Sequence, residues 1–243
     1  MNTYSSENHT PTQADFTVTR RLAVGFVVVV MLMGLAPFAA AGRFDWWQGW
    51  VYSLILIGMN LISRYLLFRR NPQLVGERFR FGTTKGAEGW DRLLAPIVGI
   101  VGPLLVLIVA GLDKRYGWSP DVSFALQMVS IVILLLCGAF GAWAMLENPF
   151  FTSVVRIQKD RNQTAVTTGP YRFMRHPAYG EATIWWLVTP VILGSLWAFI
   201  PAAVQIACFI VRTILEDRTL QAELPGYADY AQRVRYRLIP GIW

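Results

Sequence analysis

Apolar residues gather in long uncharged stretches divided by short charged ones, and a helix needs about 20 mostly apolar residues to cross the hydrocarbon. Four stretches are each suited to one crossing: Leu22 to Ala41, Trp46 to Ile62, Leu93 to Leu112 and Val122 to Leu146. A fifth, Ala182 to Val211, carries no charge over 30 residues. It is too long for one upright span and predicts a tight helical hairpin turning at Gly194 and Ser195, with Pro190 in one arm and Pro201 in the other. Prolines are tolerated in such helices when neighbours re-satisfy the freed backbone groups. The pattern predicts an all-α integral membrane protein with about six transmembrane helices (five to six), the last two forming the hairpin.

Between the spans lie two long polar segments. The first runs from Arg64 to Arg92, with a turn expected at Asn71 and Pro72. The second runs from Phe150 to Tyr179, where Val154 to Ile157 and Thr164 to Thr167 predict two short strands around a turn at Asp160 to Asn162. The chain therefore divides into a polar tail at 1–20, expected to be disordered, a four-helix membrane region at 21–149 carrying the basic loop 64–92, and a region at 150–243 with the second loop, the hairpin and a C-terminal helical segment. The tail lacks the basic start of a signal peptide.

Composition agrees with a membrane body. Of the 243 residues 54% are hydrophobic and only 15% charged, and the mean hydropathy is +0.41; soluble domains carry about 25% charge. Cys137 and Cys208 sit in apolar stretches and read as small hydrophobes. The net charge of +7 raises the question of nucleic acid, but its distribution answers otherwise. Nineteen of the 22 lysines and arginines fall on one side of the six-span topology, and only Arg43, Lys114 and Arg115 on the other. By the positive-inside rule both termini and both long loops are expected in the cytoplasm, with no nucleic-acid partner.

Chemistry concentrates in the second loop and after the last span. The run Gly169, Pro170, Tyr171, Arg172 leads to Arg175, His176, Pro177 and Tyr179 at the mouth of the fifth span. The sixth span runs into Arg212, Glu216 and Asp217, with Arg212 and Glu216 placed i, i+4 on one helical face. A histidine beside arginine and tyrosine reads equally as an interfacial anchor or as a site. Ionisable groups at a membrane boundary are more often functional. Basic residues of the first loop read as anchors to anionic lipid, Trp46, Trp47 and Trp50 as an interfacial aromatic belt, and Gly138 with Ala142 as a helix-packing face. No GxG is present, which disfavours a Rossmann-type cofactor site, and the scattered cysteines and histidines make no zinc ligand set.

The strings TTGPYRFMRHPAY and RTILEDRTLQAELPGYADYAQRVRYRLIPGIW, joined by the hairpin, resemble the isoprenylcysteine carboxyl methyltransferase family and its relatives among the phospholipid methyltransferases. The resemblance is close from Arg156 to Trp243, and RNPQLVGERFRFGTTKGAEGWDR resembles the preceding loop of bacterial members. It implies a membrane methyltransferase whose donor, S-adenosylmethionine, is held by Gln163, Thr164, Ala165, Val166, Tyr171, His176, Pro177, Ala178 and Tyr179, completed by Glu216, with Arg156 a weaker candidate. Arg212 falls where the family places the arginine that faces the acceptor, so Arg212 and His176 are the expected catalytic residues and no metal is implied. The family pattern continues RHPxYxG, and here Glu181 stands at the glycine position.

The resemblance implies a lipophilic acceptor, a carboxylate of the prenylcysteine type. Relatives methylate amines or thiols, and an amine would need a base, for which His176 or Glu181 is placed. A nicotinamide-dependent membrane reductase, suggested by a shared RHPxY block, and a non-enzymatic lipid-binding protein stand as alternatives. The oligomeric state is left open.

Overall fold

The computed structural model describes residues 13–70 and 86–243, with side chains from residue 24 onward. Its helices are α1 (Gln13–Ala41), α2 (Trp47–Arg70), α3 (Asp91–Tyr116, with a π-helical turn at Ile97–Val101), α4 (Phe124–Glu147), α5 (Pro177–Leu193), α6 (Phe199–Glu223) and α7 (Tyr227–Arg233). Five of these, α1 from Val24, α2, α3, α4 and α6, are long and apolar enough to cross a membrane. At 17 residues, α5 is the short arm of the expected hairpin with α6. The architecture is that of a multi-pass, all-helical membrane protein, with no strand among the described residues.

Local chemistry explains the helix ends. Gly194 closes α5 in the left-handed conformation at φ 69°, where its N–H reaches the carbonyls of Pro190 and Val191. The hairpin turn is tied to α3 by Asp113, which accepts from the hydroxyls of Ser119 and Ser195. Pro177 opens α5 at its first turn, where a missing N–H leaves no bond unmade. In α3 the π turn precedes Pro103, which has no N–H to give. Gln205 of α6 satisfies the Val98 carbonyl there, at 2.7 Å.

Helix α1 packs on α3, α2 and α5 flank α4, and α5 lies against α6. Close approach of α1 and α3 requires Gly111, because a Cβ there would sit 2.4 Å from the carbonyl oxygen of Pro37. Tyr52, fully buried, accepts from Trp185 Nε1 at 3.1 Å and so joins α2 to α5 without leaving a polar group unsatisfied.

Several expectations change. Helix α1 starts at Gln13 and takes in the end of the supposed disordered tail, while residues 1–12 and the turn at Asn71 and Pro72 lie outside the described residues. Trp46 is buried beside Phe38 rather than interfacial, whereas Trp47 and Trp50 are exposed. Gly138 packs on Met59 of α2, and its neighbour Gly141 faces Glu181 of α5. The two short strands do not form. Their backbone is satisfied by side chains and local turns: Val155 N donates to Asp91 Oδ2 at 2.6 Å, and Gln158 N to Gln163 Oε1 at 2.7 Å. The turn between them does form, as a 3₁₀ turn at Lys159–Arg161 closed by Asn162 at φ 49°.

Candidate active site

One cavity of about 810 Å³ runs from the polar loop into the helix bundle. Its polar half is lined by Gln163, Thr164, Ala165 and Val166 from the loop, by Tyr171, and by His176, Pro177, Ala178 and Tyr179 at the start of α5. Arg212 and Glu216 of α6 line it too, as does Arg156. Every site residue picked out in the sequence thus meets in one space. The apolar half lies among α1, α2 and α3, against Val29, Met33, Leu56, Met59, Val98 and Leu107.

A buried carboxylate organises the polar half. Asp217, 1% exposed, accepts from Arg175 Nε at 2.7 Å and Nη2 at 2.8 Å, from Tyr227 Oη at 3.2 Å, and from Arg237 Nε at 2.9 Å. His176 Nε2 lies 3.3 Å from the same carboxylate. Arg175 reaches further, donating to the carbonyls of Val234 and Arg235 past the end of α7. Backbone bonds from Arg175 N to Tyr236 O and from His176 N to Arg237 O, both 2.9 Å, lay the C-terminal segment along this wall. Gly180 permits that approach, since a Cβ there would meet the Leu238 carbonyl oxygen at 2.4 Å. The tail accordingly contributes Leu224, Tyr227 and Tyr230 to the cavity. Burial first, and the Asp217 charge second, push the Tyr227 hydroxyl far above the usual tyrosine range.

Arg212 and Glu216, one turn apart on α6, take part in two separate arrangements. Arg212 directs Nε and Nη2 to Asp91 at the start of α3, at 2.7 and 3.0 Å, and Nη2 also reaches the Ser153 carbonyl. Both members of this ion pair are buried. The planar fork is thus fixed on Asp91 through Nε and Nη2, and Arg212 lines the cavity. Glu216 instead accepts from Tyr179 Oη at 2.6 Å. The Tyr179 ring lies between these groups, stacked on His176 and 5.3 Å from the Arg212 guanidinium carbon.

Loop 148–166 is braced by Gln158, whose Nε2 donates to Phe150 O and whose Oε1 accepts from Arg161. Gln163 contributes its side-chain oxygen to this brace, and Ala165 and Val166 pack toward Leu224, Tyr227 and Tyr230. Arg156 binds Asp160 at 2.9 Å and holds that carboxyl below its ordinary range. Asp91, Tyr227 and Gln158 are site-building residues that sequence reasoning did not pick out, and Asp217 and Arg175, noted in its charged clusters, were given no role there. The available signal was acids at span boundaries, Asp91 alone before one span and Asp217 beside Glu216 at the end of another.

Helix number, apolar surface and a cavity spanning polar loop and bundle define a multi-pass membrane protein with an internal site. Residues 128–222 match the sequence profile of the Isoprenylcysteine carboxyl methyltransferase (ICMT) family. The chain is 34% identical over 143 residues to protein-S-isoprenylcysteine O-methyltransferase B of Arabidopsis thaliana, covering 58% of this chain and 70% of that protein. Protein-S-isoprenylcysteine O-methyltransferase A of the same plant is 31% identical over the same shares. A probable protein-S-isoprenylcysteine O-methyltransferase of Oryza sativa subsp. indica is 31% identical over 86 residues, 35% of this chain and 45% of the relative. The chain belongs to the isoprenylcysteine carboxyl methyltransferase family and is a membrane methyltransferase. The reductase and non-enzymatic readings fall with that assignment.

Proposed function

We infer that the protein methylates the carboxylate of a prenylcysteine-type lipid, taking the methyl group from S-adenosylmethionine. The observation that carries this reading is the single cavity in which a polar, aromatic half meets an apolar half of lipid-chain character. Its volume falls within the range of about 300–1,000 Å³ typical of small-molecule and cofactor sites.

The residues present suit a cationic, polar donor. Glu216 supplies negative charge, and the rings of Tyr171 and Tyr179 offer π faces to a sulfonium. His176 and the Gln163 to Val166 segment provide hydrogen-bonding groups for the donor's amino-acid and ribose parts. S-adenosylmethionine supplies a methyl on a sulfonium sulfur: its C–S bond breaks with the electron pair staying on sulfur, and a C–O bond to the acceptor gives a methyl ester.

The acceptor carboxylate is already ionised at neutral pH, so the chain has no proton to remove. Its work is alignment and exclusion of water. Arg212 binds and orients the carboxylate, while Asp91 fixes the guanidinium plane. His176 acts as a donor-site residue positioned by Asp217, and the apolar half receives the lipid chain. The distribution of basic residues supports a cytoplasmic site and cytoplasmic termini.

The test is transfer of labelled methyl groups to an S-farnesylcysteine acceptor by the purified protein. Base-labile label, characteristic of a methyl ester, is expected; base-stable label on nitrogen or sulfur would overturn the carboxylate reading.

A further inference from the structure

Arg64 and Glu181 line the same cavity, yet neither has a part in the site described above. Arg64, counted in the sequence among the lipid anchors of the first loop, is half-buried and turned inward, its guanidinium carbon 4.3 Å from the centroid of the Phe26 ring of α1. Glu181 lies on α5, one helical turn below Pro177. Charged side chains at membrane depth are costly and mark functional positions.

Contacts between the helices bring the two side chains to one depth. Helices α2 and α4 run parallel and touch at two points: a Cβ on Gly138 would lie 3.0 Å from Met59 Sδ, and Leu67 packs with Met145. In that register Gly141 stands level with Ser63, next to Arg64. Glu181 reaches Gly141 from the other side of α4, its Oε2 2.9 Å from the place of a Cβ there. Arg212 belongs to the same layer: its guanidinium carbon is 5.3 Å from the Tyr179 ring, and Tyr179 is separated from Glu181 by only about 3 Å of helical rise.

The other charges facing this layer have their own roles. Asp91 holds Arg212, Asp217 holds Arg175 and His176, Asp160 holds Arg156, and Glu216 accepts from Tyr179. Arg64 on the α2 wall and Glu181 on the α5 wall therefore bring N–H donors and acceptor oxygens to either side of Gly141 and Ala142, small residues of α4 that line the cavity between them. A free ammonium placed there would meet Arg64 as well as Glu181, so its charge gains little. A neutral amide satisfies both, and the N–H and C=O of a trans amide point in opposite directions, toward two different walls.

An acceptor cysteine that ends a polypeptide carries such an amide beside its carboxylate. We propose that Arg64 and Glu181 form a subsite for this amide, Glu181 accepting from the cysteine N–H and Arg64 donating to the carbonyl of the preceding residue, so that the cavity selects polypeptide-linked acceptors over acceptors without the amide. This inference rests on the carboxyl-methylation reading above. Arg212 takes the carboxylate, and the thioether-linked chain runs into the apolar half past Met59 and Leu56. No additional bond is made or broken; the two side chains align the acceptor and determine specificity.

The experiment measures kcat/KM for two acceptors with the full chain in lipid nanodiscs. N-acetyl-S-farnesylcysteine carries the amide, and S-farnesyl-3-mercaptopropionate keeps carboxylate, thioether and chain without it. Wild type is expected to favour the amide compound by about tenfold or more, the scale of hydrogen bonds to charged groups. In Arg64→Met and in Glu181→Leu the ratio should fall toward one through KM, with kcat kept and S-adenosylmethionine still bound. A wild-type ratio near one, or the wild-type ratio kept in either variant, would overturn the proposal. N-methylation of the acetamide removes the N–H and tests the subsite without any variant: the wild type should lose about tenfold, and equal use of the two amides would overturn the proposal. If the wild type methylates none of these compounds, the carboxylate reading fails, and the subsite is judged by binding of the same acceptors. A preference for the amide compound that is lost in Arg64→Met supports it; equal binding overturns it.

Discussion

The guanidinium of Arg175 closes on both oxygens of Asp217, Nε at 2.7 Å and Nη2 at 2.8 Å, and its remaining nitrogen holds the backbone just beyond α7. One ion pair thereby joins the loop before α5, the polar end of α6 and the C-terminal segment, with His176 and Tyr227 bound to the same carboxylate. Removing one member of such a buried pair strands the other in a poorly solvated place.

Asp217→Asn is therefore expected to destabilise the protein by about 3 kcal/mol or more. It should also weaken donor binding by letting His176 and the tail shift. Thermal unfolding in detergent, followed alongside donor affinity, checks both effects. Arg175→Lys should move both in the same direction, because a single ammonium cannot reproduce the two-pronged contact and the bonds to Val234 and Arg235.

Arg212→Lys retains a positive charge but loses the fork held by Asp91. Methyl transfer should drop by about 100-fold, the scale of a small misplacement at a reacting centre. Donor affinity should remain near that of the wild type, which separates this residue from the donor site. Asp91→Asn should show the same signature more mildly, since it loosens the guanidinium without removing it.

Tyr179→Phe deletes the hydroxyl that donates to Glu216 at 2.6 Å and leaves the ring stacked on His176 and in tilted contact with Phe209. Donor binding should weaken by about tenfold, as expected for loss of a hydrogen bond to a charged group. Calorimetric titration of the variant measures it directly.

Helical content, hairpin and site were legible for different reasons. Span positions follow from hydropathy alone, and the turn at Gly194 and Ser195 from the length of an uncharged run. The two strands failed because period-2 patterning does not reveal that Asp91 and Gln163 side chains satisfy the backbone of 154–163. Spacing put Arg212 and Glu216 on one helical face, but spacing on one helix cannot anticipate Asp91 arriving from α3, 121 residues earlier, to hold the guanidinium. The organising role of Asp217 was hidden for the same reason, its partners being spread from Arg175 to Arg237.

Tyr227 supplies a pH test. Burial and the nearby Asp217 keep its hydroxyl protonated well above the usual range in the folded protein, whereas in the unfolded chain it ionises near pH 10. Above that pH the folded state binds more protons than the unfolded one, so stability falls as pH rises. The unfolding temperature should decline more steeply between about pH 9.5 and 11 in the wild type than in Tyr227→Phe. Parallel profiles would contradict the burial of a neutral hydroxyl at this position.

The central claim, that the polar half of the cavity is a methyl-donor site, is tested most directly by calorimetric binding of S-adenosylmethionine and its demethylated product to the purified protein, with Glu216→Gln as the comparison. The account predicts saturable binding of both compounds to the wild type and a marked loss of affinity for the cationic donor in Glu216→Gln, larger than the loss for the neutral product. Absence of binding to folded wild-type protein, or equal affinities in the two proteins, would contradict it.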